Sequence, residues 1–208
     1  AITNSVTGQI IPGKTEGTNF TGSLLVGHAT TGTLNAASNN TGVGIAALDA
    51  LTSGDSNTAI GYQSGTKITT GGNNTAIGET SLFLNTSGSS NTAMGHQSLY
   101  ALASGSNNTA VGRVALSSTT GDNNVGIGKS AGSNITSGDG NVIIGVNTNA
   151  DSATGDRQLK ISGNDGSTAT TWISGDSSGN VTVAGTLTTS SGLVAAQADV
   201  TALAIALG

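Results

Sequence analysis

Asn57-Thr58-Ala59-Ile60-Gly61 returns 17 residues later as Asn74-Thr75-Ala76-Ile77-Gly78, then as Asn91-Thr92-Ala93-Met94-Gly95 and Asn108-Thr109-Ala110-Val111-Gly112. Asn40-Thr41-Gly42-Val43-Gly44 stands one period upstream. Asn124-Val125-Gly126-Ile127-Gly128 follows after 16 residues, and Asn141-Val142-Ile143-Ile144-Gly145 after another 17. A degenerate copy, Ser23-Leu24-Leu25-Val26-Gly27, brings the number to eight. A 17-residue coil cannot bury its own apolar face, so a repeat of this length must stack on its neighbours as a solenoid.

Stacked by column, the copies assign a role to each position. The residue before the closing Gly is always apolar: Val26, Val43, Ile60, Ile77, Met94, Val111, Ile127 and Ile144. Two residues earlier stand Leu24, Thr41, Thr58, Thr75, Thr92, Thr109, Val125 and Val142. Side chains two apart share a strand face, so both columns are expected to point inward. The small column between them, with Ala59, Ala76, Ala93, Ala110, Gly42 and Gly126, would let a neighbouring layer or chain approach closely.

A second, weaker strand is expected from Leu48, Leu82, Leu99 and Leu116, with Leu51, Ile68, Leu102 and Ile135 three residues on. Gly54, Gly71, Gly88, Gly105, Gly121 and Gly138 read as corners that need positive φ. The shortened period falls between Gly112 and Gly121, on the way to such a corner. Asn40 to Asn141 head every coil and are expected to form a hydrogen-bonded amide ladder. At about 4.8 Å per layer, eight coils make a rod on the order of 35–40 Å long.

Around the repeats, residues 1–22 read as a cap or a join, with a short strand at Gln9-Ile10-Ile11. Residues 146–155 read as a polar linker that opens a β-rich connector, 146–190, with strands at Gln158–Ile161, Thr171–Ser174 and Val181–Thr188. Trp172, the single Trp, is expected to anchor the small core of this connector. From 191 to 208, Leu193, Ala196, Val200, Leu203 and Leu207 take the spacing of a coiled coil. A start at Ala1 and a coil ending at Gly208 suggest a processed or excised piece.

Composition narrows the function. The 208 residues include 33 Gly, no Cys and 2% aromatics, and the net charge is −5 with six basic residues. So few cations leave no phosphate-neutralising patch, which argues against nucleic acid as a partner. No apolar run reaches the length of a membrane span, so insertion of this segment in a membrane is not expected. Without Cys there is neither a disulfide framework nor a thiolate site.

The Asn/Ser-x-Ala-Ile/Val-Gly repeat, followed by a short β module and heptads, resembles the YadA-type head of trimeric autotransporter adhesins and the tailed-phage fibres that carry the same repeat. The resemblance is strong over residues 23–145, the β-roll, and covers 146–208 only in the order of parts. The mostly 17-residue period, and Thr at the second position of Thr41, Thr58, Thr75, Thr92 and Thr109, bring the chain nearer the phage fibres. The resemblance implies an all-β, left-handed parallel β-roll of about eight coils, wound as a homotrimer and leading through a β neck into a coiled-coil stalk. It implies a non-enzymatic fibre segment on a virion tail or bacterial surface, attached to a host cell-surface glycan or protein. A pure spacer of a longer fibre and an ice-binding β-solenoid are the alternative functions.

Little supports catalysis, a cofactor or a metal. His28 and His96 share a column four coils apart and cannot form a dyad. Asp122 and Asp139 occupy equivalent corners of adjacent coils, where Asp after Gly is mostly turn chemistry. Glycan hydrolysis needs paired carboxylates across a groove, and none stands out in the repeat. Gly128-Lys129-Ser130 lies in the repeat register and is no phosphate loop, since its first Gly would fall on Asn123. The candidates for binding are outward side chains. The column after each closing Gly contains Tyr62, Glu79, His96, Arg113 and Lys129, a varied ridge on an invariant frame. Phe83 and Tyr100 are equivalent positions on adjacent coils whose rings could stack as a platform for sugar, or fill a seam between chains.

Overall fold

Each repeat becomes one short strand, and the strands lie in register one above another. The computed structural model describes residues 13–14, 20–21, 23–26, 36–185, 187–189 and 192–195. Its elements are β1 (Gly13–Lys14), β2 (Phe20–Thr21), β3 (Leu24–Val26), β4 (Ala37–Ser38), β5 (Thr41–Val43), β6 (Thr58–Ile60), β7 (Thr75–Ile77), β8 (Thr92–Met94), β9 (Thr109–Val111), β10 (Val125–Ile127), β11 (Val142–Ile144), β12 (Leu159–Asn164), β13 (Ala169–Gly175), β14 (Val181–Val183), β15 (Leu187–Thr189) and β16 (Gly192–Ala195). Strand β3 and strands β5 to β11 are the eight repeats, paired parallel with equivalent residues opposite each other, such as Thr58 with Thr75 and Ile60 with Ile77. No helix occurs among the described residues, and the chain is an all-β parallel solenoid.

The asparagine column forms the expected ladder. Each side chain from Asn40 to Asn141 is 1% exposed or less. Asn91 shows the pattern: its backbone N–H and Nδ2 both donate to Asn74 Oδ1, at 3.0 and 3.1 Å, and Nδ2 also donates to the Gly105 carbonyl at 2.9 Å. Its Oδ1 in turn accepts from Asn108 N and Nδ2. One side chain thus satisfies two backbone groups at the next corner, Gly105 O and Asn108 N–H, which a solenoid corner otherwise leaves orphaned, and bonds the amide of the coil before it. Ser23 Oγ begins the ladder by accepting from Asn40 N at 2.7 Å.

The ladder does not stop at the eighth repeat. Gln158 N and Nε2 donate to Asn141 Oδ1 at 2.9 and 3.1 Å, and Leu159, Lys160 and Ile161 pair parallel with Val142, Ile143 and Ile144. Residues 146–155, read from sequence as a linker, are therefore another stacked turn, disguised because Gln replaces Asn and no Gly closes the strand. From there the sheet turns antiparallel through β13 and β14.

The strand faces are the reverse of those expected from sequence. The small column is inside, with Ala59, Ala76, Ala93 and Ala110 fully buried, while the Thr and Ile/Val columns on either side point outward. The interior is already filled by Leu48, Leu51, Ile68, Leu82, Leu99, Leu102, Leu116 and Ile135, all fully buried. Opposite them the strand has room for only a methyl group. A Cβ on Gly126 would come within 2.7 Å of Leu116 Cγ. Where the strand supplies a large residue the opposite wall shrinks: Ile143, fully buried, packs where Gly132 replaces the leucine.

Those leucines belong to turns, not to the second strand that their spacing suggested. Leu48, Leu82, Leu99 and Leu116 sit at φ of 57°, 51°, 49° and 48°, where Gly65 and Gly132 take the same place at 57° and 63°. Left-handed backbone costs a side-chain residue about 1–2 kcal/mol, whereas burying a leucine gains about 1.5–3 kcal/mol, so the core term decides.

The corner glycines also differ from expectation. Gly54, Gly71, Gly88, Gly105, Gly121 and Gly138 do not have positive φ; that falls instead on the closing glycines, at 123–136°, and on the residue before each ladder amide, such as Ser56 and Asn73. The corner glycines are needed for spacing, because a Cβ on any of them would lie closer than 3.0 Å to a carbonyl oxygen of the next coil. Gly88→Ala would drive its methyl into the Gly105 carbonyl and the Asn85 amide. A loss of about 2–3 kcal/mol is expected in urea denaturation. An unchanged midpoint would mean that coils separate there without cost.

The missing residue of the short period lies between Thr120 and Gly121. Thr120 Oγ1 still donates to the Thr136 carbonyl at 3.1 Å, as Thr69 does to Thr86 at 2.9 Å, and Gly121 N–H turns to Thr119 Oγ1. Strand β16 occupies Gly192–Ala195, where the coiled coil was expected to begin, and pairs with β15. The rest of the heptad pattern, His28, and the strand expected at residues 9–11 lie outside the described residues.

Candidate functional site

Three outward features could meet a partner. The first is the outer face of the parallel sheet. Val43, Ile60, Met94, Val111 and Ile127 are 37–41% exposed, beside the half-buried Thr41, Thr58, Thr75, Thr92 and Thr109. Strand geometry spaces the array at about 4.8 Å along the rod and about 6.7 Å across it.

The second is the ridge. The residue following each ridge position donates its N–H to the ridge carbonyl one coil earlier: Gln63 to Ile45, Thr80 to Tyr62, Gln97 to Glu79, Val114 to His96, Ser130 to Arg113 and Asn147 to Lys129, at 2.7–3.1 Å. These bonds bring Tyr62, Glu79, His96, Arg113 and Lys129 into one line. Tyr62, Glu79, Arg113 and Lys129 are exposed, and His96 is half-buried. Beside the line, Phe83 and Tyr100 stack with centroids 5.2 Å apart and planes 6° from parallel.

The third was missed from sequence. Trp172 is not a core anchor: it is 53% exposed on the β12–β13 hairpin. The hairpin register slips between Ile161 and Ser162, so Trp172 is the extra residue of a β-bulge. Its indole lies across Gly163, where a Cβ would come within 2.7 Å of Cη2. With Asn164, Asp165, Thr168 and Thr170 it lines a cleft of about 660 Å³. Asp165 Oδ1 accepts from Thr168 N and Ser167 N, which holds its carboxyl below the usual carboxylate range.

The acidic corners are structural. Ser106 N donates to Asp122 Oδ1, Asp122 N to Asp139 Oδ1 and Asp139 N to Asp156 Oδ1, at 2.7–2.8 Å. Among the described residues, no three His, Asp or Glu side chains are placed to hold a metal ion. No described helix is long and apolar enough to cross a membrane.

These features define the class, a parallel β-solenoid repeat protein with an outward apolar stripe. Comparison with protein-family models, with curated proteins and with solved structures finds no match to the chain.

Proposed function

We propose that the chain is a segment of a homotrimeric fibre, three left-handed β-rolls side by side that lead into a coiled-coil stalk and attach to a cell surface. The observation that carries this reading is the outward stripe of Val, Ile and Met, one residue per coil. A monomer would leave that continuous apolar band in water, which marks an association surface. Covering the exposed two-fifths of Val43, Ile60, Met94, Val111 and Ile127 is worth roughly 1 kcal/mol each, on the order of 5 kcal/mol per chain before the cost of association. Three copies of the ridge and of the Phe83–Tyr100 stack would raise avidity without a tight single contact.

Light scattering tests the assembly. A mass near three times the 20.0 kDa chain is expected, falling to one chain in Ile60→Lys/Ile127→Lys. A wild-type monomer overturns the trimer. Alanine at Tyr62, His96 and Arg113, with the trimer intact, separates attachment from spacing: loss of cell binding supports attachment, and full retention makes the segment a spacer.

One observation favours ice binding as a second reading. The Thr column faces outward beside the Ile/Val column, giving a regular array of hydroxyls and methyls on an in-register parallel sheet. Both readings use the same face, so a monomer with thermal hysteresis would select ice binding.

A further inference from the structure

We propose that the cleft over Trp172 binds a neutral saccharide. The inference deepens the surface-attachment reading and rests on it only for where the ligand is displayed.

A bulge that re-aims a side chain is a recurring device beside binding sites. Here it brings the six-membered ring of the indole against Gly163, where any Cβ would collide with it, and leaves 53% of the residue exposed. An aromatic face of this kind suits the C–H face of a sugar ring.

The rim supplies the polar half. Asn164 uses Oδ1 to accept from Gly166 N at 2.8 Å, and Asp165 uses Oδ1 for Ser167 and Thr168. The Asn164 Nδ2 donors and the Asp165 Oδ2 acceptor make no hydrogen bond within the described structure and are held by these turns beside the ring. A fixed donor and a charged acceptor next to an aromatic face are the groups that read neighbouring hydroxyls.

No Lys or Arg lines the cleft, and Asp165 is held ionised, so phosphorylated and acidic sugars are disfavoured. The volume is within the range of about 300–1,000 Å³ for small-ligand sites.

The single Trp of the chain makes the test direct. The intact protein is applied to an array of neutral, amino and acidic glycans, and each retained oligosaccharide is titrated in solution by tryptophan emission. At least one neutral saccharide is expected to bind and to shift or quench the emission. Trp172→Ala and Gly163→Val should each weaken array binding at least tenfold, and Asp165→Asn severalfold, with the light-scattering mass unchanged. Retention of no neutral glycan overturns the proposal, as does binding by Trp172→Ala equal to wild type. A change of mass in Trp172→Ala also overturns it, because the ring would then belong to a seam between chains. Cell attachment measured on the same preparations keeps the readings apart. Attachment without saccharide binding removes this site alone, and saccharide binding without cell attachment removes the attachment reading.

Discussion

Asn91→Asp is expected to cost about 3–5 kcal/mol at neutral pH, although it changes the shape of the side chain hardly at all. The substitution replaces the Nδ2 donor with an oxygen. That oxygen would face Asn74 Oδ1 at 3.1 Å and the Gly105 carbonyl at 2.9 Å, both acceptors, in a side chain that is fully buried. Two hydrogen bonds become two repulsions, and a charge is buried without a counter-ion. Burial raises the folded-state carboxyl above its unfolded value of about 3.9. The penalty is therefore fully present above the raised folded pKa and shrinks as pH falls through it, because a protonated carboxyl again donates to one of the two acceptors. The deficit in urea midpoint against wild type should be smaller at pH 5 than at pH 7.5 without closing, since one of the two acceptors stays unpaired. Asn91→Ala also orphans Gly105 O and Asn108 N but carries no charge, so its deficit should not respond to pH. A pH-independent Asn91→Asp would show that the ladder is not held in a dry interior.

The ladder was legible because a period of 17 and an invariant Asn are both readable without geometry. The face assignment was not. Alternation correctly told that Thr58 and Ile60 share a side, but not which side, and hydrophobicity suggested the wrong one. Volume settles it. Leu48, Leu51 and their equivalents fill a narrow tube from the turn side, so the strand can offer only Ala or Gly inward. The exceptions obey the same rule, since Leu25 stands over Gly42 and Ile143 over Gly132. A sequence reading that first added up the turn leucines would have turned the strands around.

Glycine misled in a related way. At Gly88 and its equivalents it was read as conformational freedom, whereas its work is to let one coil's backbone touch the next. Freedom is instead used at Gly61 and its equivalents, and by Leu99, which tolerates φ of 49° because its side chain is wholly buried. Among the candidate sites, the Tyr62–Lys129 line and the Phe83–Tyr100 stack followed from column arithmetic alone. The Trp172 cleft depends on a bulge, one unpaired residue in a hairpin, which carries no period to read.

The same arithmetic exposes two polar residues in an apolar column, Thr119, whose Oγ1 accepts from Gly121 N–H, and Asn85. Leu51, Ile68, Leu102 and Ile135 are fully buried at the seventh position after the closing glycine, and Asn85 stands among them, equally buried. Neither its Oδ1 nor its Nδ2 has a hydrogen-bond partner. An orphaned buried polar atom costs about 1–3 kcal/mol, and here there are two on one amide. Asn85→Leu removes both and adds apolar contact with Ile68 and Leu102 in a space that its own column shows a leucine can fill. A stabilisation of about 2–4 kcal/mol is expected, read as a rise in the urea midpoint, making this the rare substitution that improves a packed interior. A neutral or destabilised variant would mean that the Asn85 amide is bonded after all, with a buried water as its partner. The contrast with Asn91 isolates what matters. Both are buried asparagines in the same solenoid, yet one is expected to be indispensable and the other a defect. The difference is whether the neighbouring coils present groups for the amide to bond.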